Sequence, residues 1–254
     1  MIWRQLDIDL GPSPKDVADE VFARMQPAID PTNLWFVRKP PGLRVRAHTE
    51  VRGTDVLAPI AAGLRDDGVV VSAREGVYEP EARRFGGERA MELVHSFFHV
   101  DSRGFIAWHL RRAQGRLAPA VASLAVIATL FDRLLAGAGS EIWDAWANLA
   151  SLHGIEHHNA TARPLLPPAI AQLQAPAADH ESDVLADYDR GCRALAEGVD
   201  ALRREGDFHV GVRAFAADVA LFHWNRWGIT HDERVALCEG ALAALHPHRR
   251  LPCP

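Results

Sequence analysis

The sequence predicts an α+β fold: an antiparallel sheet of ferredoxin-like β-α-β-β-α-β order over residues 1–77, then a mainly helical part, residues 78–254, packed over that sheet. Three observations carry this. Apolar and polar residues alternate in the short runs 2–10 and 43–49, the pattern of half-buried strands. Two stretches between the runs, 14–25 and 54–66, have apolar residues at three- and four-residue spacing. From Glu81 onward nearly every segment has that helical spacing. No composition shift and no internal repeat divides the chain, so residues 1–254 read as a single domain.

In the first strand Ile2, Leu6, Ile8 and Leu10 share one face, and Trp3, Gln5, Asp7 and Asp9 the other. Ser13-Pro14 opens a helix as N-cap and first helical residue, and Pro27 is expected to stop it. Residues 34–39 and 43–49 form a hairpin across the turn sequence Pro40-Pro41-Gly42. A helix over 54–66 breaks at Asp67-Gly68, and the β-branched run 69–75 supplies the fourth strand. Helices are then expected over 88–98, 105–135, 140–152, 183–204, 210–224 and 233–245, with a proline-rich connection at 164–178.

The 254 residues, 48% of them hydrophobic, suffice for a sizeable core and exclude a disordered chain. The balance of 28 basic against 33 acidic residues, with no basic run, speaks against nucleic-acid binding. The most apolar stretch, 117–130, falls short of the ~20 residues of a membrane span. Three widely spaced cysteines, Cys192, Cys238 and Cys253, and a polar start without a signal peptide make a cytoplasmic protein the expectation.

Four clusters of residues bear on chemistry. In 43–48, Arg44, Arg46 and His48 stand on the face opposite Leu43, Val45 and Ala47. Two like charges side by side there are either solvated surface groups or part of a site. Glu81 and Arg84, three apart in Tyr78-Glu-Pro-Glu81-Ala-Arg-Arg84-Phe-Gly-Gly87, can pair on a helical turn. His223-Trp-Asn225-Arg226-Trp-Gly228 ends an apolar helix and reads either as a pocket lining or as a basic helix end capped by Gly228. His153-Gly-Ile-Glu156-His157-His158 matches a zinc-peptidase pattern, but Gly154 breaks the helix that pattern needs, so no metal site is expected. Phosphate-loop, serine-elbow and Cys-x-x-Cys motifs are absent from the sequence.

Taken in order, Leu34-Trp-Phe-Val-Arg-Lys-Pro-Pro-Gly-Leu-Arg44-Val-Arg46, Tyr78-x-x-Glu81-x-x-Arg84-Phe-Gly-Gly87 and His223-Trp-Asn225-Arg226 resemble the thiopeptide-type bacteriocin biosynthesis domain. This is the C-terminal glutamate-elimination domain of lantibiotic dehydratases, also found as a stand-alone protein. The resemblance runs from Trp3 to about Leu245. It departs at Gly42, where histidine is usual, and at Phe85, where tyrosine is commoner.

The resemblance implies a carbon–oxygen lyase. A tRNA-dependent glutamylating dehydratase partner esterifies serine or threonine of a ribosomally synthesised precursor peptide. This domain then removes the glutamate, leaving dehydroalanine or dehydrobutyrine. The family's elimination set falls on Arg44, Arg46, Glu81, Arg84 and His223, with Tyr78, Asn225 and Arg226 expected against substrate. Arg44 and Arg46 would hold the glutamyl group, since guanidinium binds carboxylate in pairs of hydrogen bonds. Arg84, held by Glu81, would stabilise the leaving carboxylate or the oxyanion, and His223, or Glu81 if it is buried away from Arg84, would move the proton. No cofactor or metal is needed, no membrane or direct nucleic-acid contact is expected, and homodimerisation is family behaviour. Two rivals stand beside this reading: a thiopeptide pyridine synthase, which joins two dehydroalanines and releases the leader, and a non-catalytic leader-peptide-binding subunit. The elimination reading expects Arg44, Arg46 and His223 to converge on one cleft.

Overall fold

The computed structural model describes residues 2–11, 14–29, 33–49, 55–155, 172 and 178–246. Strands β1 (Ile2–Asp9), β2 (Asn33–Lys39), β3 (Gly42–Thr49) and β4 (Ser72–Gly76) form one antiparallel sheet in the order β2-β3-β1-β4. Helices α1 (Pro14–Ile29) and α2 (Leu57–Asp66) lie between the strands in sequence. The helical part comprises α3 (Glu88–Leu110), α4 (Pro119–Leu134), α5 (Gly139–Leu152), α6 (Asp179–Glu205), α7 (Val212–Trp227) and α8 (His231–Leu245), with a short 3₁₀ turn at Arg112–Gln114.

Register follows from the alternation. Leu6 pairs with Val45 and Ile8 with Leu43, and Phe36 pairs with Val45. These apolar side chains share one face, buried under α1 and α2. A one-residue slip would turn them all to solvent, so the register is strongly specified. The opposite face carries Trp3, Gln5, Asp7, Trp35, Arg44, Arg46 and His48.

The helical part covers that second face only where α3 brings His95 and Phe98 against Trp3 and Trp35; its main contacts with the sheet run through α3 and α7 onto β2. The reason is visible in the hydrogen bonds. As an edge strand β2 has backbone groups with no neighbouring strand, and an unpaired buried amide or carbonyl is costly. Phe36 N donates to Ser102 Oγ at 3.1 Å, and Arg226 Nε donates to the Phe36 carbonyl at 2.8 Å. His99 Nδ1 lies 3.0 Å from the Leu34 carbonyl. Side chains from two helices thus finish the sheet edge.

Three local expectations are corrected. Helix α1 runs through Pro27 to Ile29, because Met25 and Ile29 are both buried and packing outweighs the lost backbone bond. Helix α3 continues unbroken past Phe98 to Leu110, with Asp101 and Ser102 buried in its middle. The helix expected over 105–135 breaks instead after Leu110, and α4 begins with Pro119 in its first turn, where a missing N–H is no loss. Ser13, the expected cap, lies outside the described residues.

At the departure from the family pattern, Gly42 faces β1 so closely that a Cβ would sit 2.1 Å from the Ile8 carbonyl oxygen. Gly42→Ala is therefore expected to destabilise the fold by about 1–3 kcal/mol, as overpacking against rigid backbone does. Thermal unfolding measures it: a fall of roughly 2–4 °C per kcal/mol is expected, and an unchanged midpoint would show that this end of the β1–β3 pair separates freely.

Candidate active site

On the solvent-side face of the sheet a line of polar side chains joins the two β3 arginines. Arg46 Nε donates to Gln5 Oε1 at 2.7 Å, Gln5 Nε2 donates to Asp7 Oδ1 at 2.9 Å, and Asp7 Oδ1 lies 3.6 Å from Arg44 Nε. Arg44 is half-buried. Arg46 is buried, its guanidinium carbon 4.4 Å from the Trp35 ring centre and 4.3 Å from that of Tyr78. It forms no ion pair with a carboxylate among the described residues, since its hydrogen-bond partner is a neutral amide. Burial, helped by the repulsion of Arg44, pushes the guanidinium down to about 10, although Tyr78 and Glu81 act the other way.

Residues 77–87 lead from β4, at one edge of the sheet, to α3 at the other, and Tyr78 lands over Arg46 on the way. Tyr78 also meets Trp3 and Trp35 edge-on. Its hydroxyl is 2.7 Å from His95 Nε2. Burial raises the phenol above its ordinary range.

Glu81 and Arg84 pair at 3.2 Å as expected, and Glu81 is exposed rather than buried away from its partner. The stronger hold on Arg84 comes from Asp218 of α7, whose Oδ1 accepts from Arg84 Nε at 2.8 Å and from Nη2 at 2.5 Å. Burial disfavours the Arg84 charge, but Asp218 and Glu81 outweigh it and the net shift is upward. Arg84 is thus already balanced by two carboxylates, while Arg46 is balanced by none.

His223 is elsewhere. The imidazole is fully buried, with Nδ1 2.9 Å from Asp101 Oδ1 and Nε2 3.0 Å from Ser123 Oγ. Asp101, also fully buried, ion-pairs with Arg226 and accepts from the Tyr188 hydroxyl at 2.7 Å. Trp227 Nε1 donates to both Asp101 and Tyr188. Burial alone would raise the Asp101 carboxyl, but the His223 and Arg226 charges prevail and hold it well below the usual carboxylate range. Hydroxyl, imidazole and carboxylate line up as in a nucleophilic triad, yet Ser123, His223 and Asp101 all have 0% exposure, so no substrate atom reaches them.

The expected single cleft is therefore corrected. Arg44, Arg46, Tyr78, Glu81 and Arg84 belong to the sheet face and the segment crossing it. His223 and Arg226 belong to a buried knot tying α3, α4, α6 and α7 to β2. Arg226 is fully buried against Asp101 and the Phe36 carbonyl, from where its charge still reaches Arg46, and Asn225 accepts from Arg234 at 3.2 Å. The physical reason is helical rotation. Successive residues turn by about 100°, so Phe222 faces Phe85, Phe98 and Arg84 while His223, the next residue, points inward.

Asp101, Asp218 and His95 were missed from sequence. Asp218 is a lone polar residue within an apolar helical run, and Asp101 and His95 each begin a short polar interruption of one, which is the signal that could have found them. Of the zinc-like motif, His153 ends α5 near Trp224, and Glu156, His157 and His158 lie outside the described residues. No group of three metal-ligating side chains occurs among the described residues, and no described helix is long and apolar enough to cross a membrane.

The sheet face thus gives this α+β protein one loosely paired arginine and a second packed in the corner of two edge-to-face rings without an ion-paired carboxylate among the described residues. Residues 3–245 match the family described as lantibiotic biosynthesis dehydratase, C-terminal, and the chain belongs to that family. Two solved structures are similar, each with a TM-score of 0.66. One is the tRNA-dependent lantibiotic dehydratase MibB from Microbispora sp. 107891, at 19% identity, over 95% of this chain and 28% of that one. The other is TbtD, a pyridine synthase from thiomuracin biosynthesis, at 15% identity, over 96% of this chain and 98% of that one. The chain thus spans little more than a quarter of MibB and nearly all of TbtD. No curated protein matches.

Proposed function

We propose that this protein is a lyase that eliminates glutamate from glutamylated serine or threonine of a ribosomally synthesised precursor peptide, leaving dehydroalanine or dehydrobutyrine. The observation that carries the reading is Arg46: a buried guanidinium whose Nε donates to a neutral amide and which forms no ion pair with a carboxylate among the described residues, beside half-buried Arg44. An uncompensated buried cation is costly and is retained where an anion is to be bound. A glutamyl ester brings such an anion and creates a second when it leaves.

In the reaction the Cα proton passes to a base, its bonding electrons become the Cα=Cβ bond, and the Cβ–O bond breaks with its pair going to the departing carboxylate. Arg44 and Arg46 receive the glutamyl group. Arg84, fixed by Glu81 and Asp218, steadies the segment and the peptide carbonyl. Both nitrogens of His223 are engaged in the core, so the proton acceptor is assigned to Glu81, whose charge reaches Arg46, although it is exposed and paired with Arg84 and not buried away from it as the sequence reading required. His223 acts through Asp101 and Arg226, which set the position of β2. The single domain of residues 1–254 works with the precursor peptide and a tRNA-dependent glutamylating partner, as a homodimer.

The similarity to TbtD over nearly the full length of both chains supports a second reading, a pyridine synthase joining two dehydroalanines and releasing the leader. Two incubations separate them. With glutamylated precursor, mass spectrometry is expected to show glutamate released; with bis-dehydroalanine precursor, no change. Cyclisation of the second without action on the first would replace elimination by the synthase. No action on either, with the pathway still needing the protein, would indicate a leader-binding subunit.

A further inference from the structure

Beside Arg46, the His95 ring has no part in the reaction described above. The Trp3 ring lies tilted against it with ring centres 4.3 Å apart, Trp35 stands at 5.9 Å, and Nε2 is 2.7 Å from the Tyr78 hydroxyl. The polar groups facing the imidazole are Tyr78, Arg46 and His48, and no carboxylate pairs with it among the described residues. Burial, together with the Arg46 and His48 charges, pushes it down to about 4, so the ring is neutral and carries a single N–H.

Where that hydrogen sits decides what Tyr78 can do. On Nδ1, it leaves Nε2 to accept the Tyr78 proton, and the hydroxyl has nothing to give outward. On Nε2, it donates to the Tyr78 oxygen and frees the phenolic O–H to donate elsewhere. The second arrangement needs an acceptor for that O–H, and a carboxylate on Arg46, against which the Tyr78 ring lies at 4.3 Å, supplies one.

We propose that His95 is a positioning residue that, when a carboxylate occupies Arg46, presents its Nε2–H to Tyr78 and turns the Tyr78 hydroxyl into a third donor for the departing glutamyl group. This rests on the elimination reading and deepens it. No proton leaves the Tyr78–His95 pair; the bonds that form and break are those of the substrate.

Two measurements test it. In protein labelled with ¹⁵N-histidine, long-range proton–nitrogen spectra distinguish the two neutral forms of His95. Adding free L-glutamate is expected to convert the ring to the Nε2–H form. Glutamate that binds without converting it overturns this inference and leaves the elimination reading standing; glutamate that does not bind counts against both. In glutamate release, Tyr78→Phe is expected to lower kcat by about 10²-fold with KM little changed, the usual effect of losing one donor to developing charge. His95→Leu is expected to match it, and His95→Gln, whose amide can still donate to the Tyr78 oxygen, to recover most of the loss. Equal activity of the Gln and Leu variants at equal thermal midpoints would overturn the positioning role.

Discussion

Arg46→Ala is expected to reduce kcat/KM for glutamate release on the order of 10³-fold, corresponding to ~4 kcal/mol of transition-state stabilisation. Its effect on folding is expected to be small. Burial disfavours the Arg46 charge, and no carboxylate offsets that cost. Removing the side chain relieves this penalty while giving up the contacts with Trp35 and Tyr78, two effects of opposite sign. Activity and stability therefore part company, as they do at sites kept for binding rather than for the fold. Arg46→Lys is expected to remain poor, because an ammonium has neither the flat face that meets Trp35 and Tyr78 nor paired donors to offer. Glutamate release at wild-type rate by either variant would remove Arg46 from the reaction. Loss of activity together with a large drop in thermal midpoint would make it a structural residue instead.

Asp101→Asn is expected to give the largest loss of stability, about 3–5 kcal/mol, since it strands a fully buried cation. Arg226 has 0% exposure, its Nη2 already lacks a hydrogen-bond partner among the described residues, and without the carboxylate charge it keeps only the Phe36 carbonyl as a strong partner. Thermal unfolding is expected to fall by about 10 °C or more. Asp101→Asn combined with Arg226→Met, which removes both charges, is expected to regain most of that. If the double variant is no better than the single one, the ion pair is not the source of the loss.

The same carboxyl sets a pH dependence. Its folded-state affinity for protons is lowered by His223 and Arg226 despite burial. The stability it confers is therefore fully present above the unfolded carboxyl value of about 3.9. It is lost as the pH falls below that toward the lower folded value. Acid unfolding of the Asp101→Asn variant is expected to lack this component.

Much of the sheet was readable in the sequence because strand geometry is simple. Side chains alternate with a period of two, so placing Leu43, Val45 and Ala47 on one face puts Arg44, Arg46 and His48 on the other without knowledge of any partner. The register of β1 against β3 agrees with that placement. Glu81 and Arg84 were legible for the same reason: their contact is local, three residues apart. Helix ends were less so. The polar pair Asp101-Ser102 interrupts the apolar pattern of α3 and invited a break, whereas both residues are buried and bonded to Tyr188, His223, Arg226 and Phe36.

By itself the chain determined its α+β class, the four strands with their faces, and the presence of two arginines on the face away from α1 and α2. Those features follow from backbone geometry acting over a few residues. Tertiary packing alone decided that α3 and α7 finish the edge of β2, that Asp218 rather than Glu81 chiefly holds Arg84, and that His223 turns into the core while His95 comes to Arg46. A helix has no marked side until a neighbour fills its apolar stripe. Which polar residue then reaches the sheet depends on contacts between segments as far apart in sequence as Phe36 and Arg226.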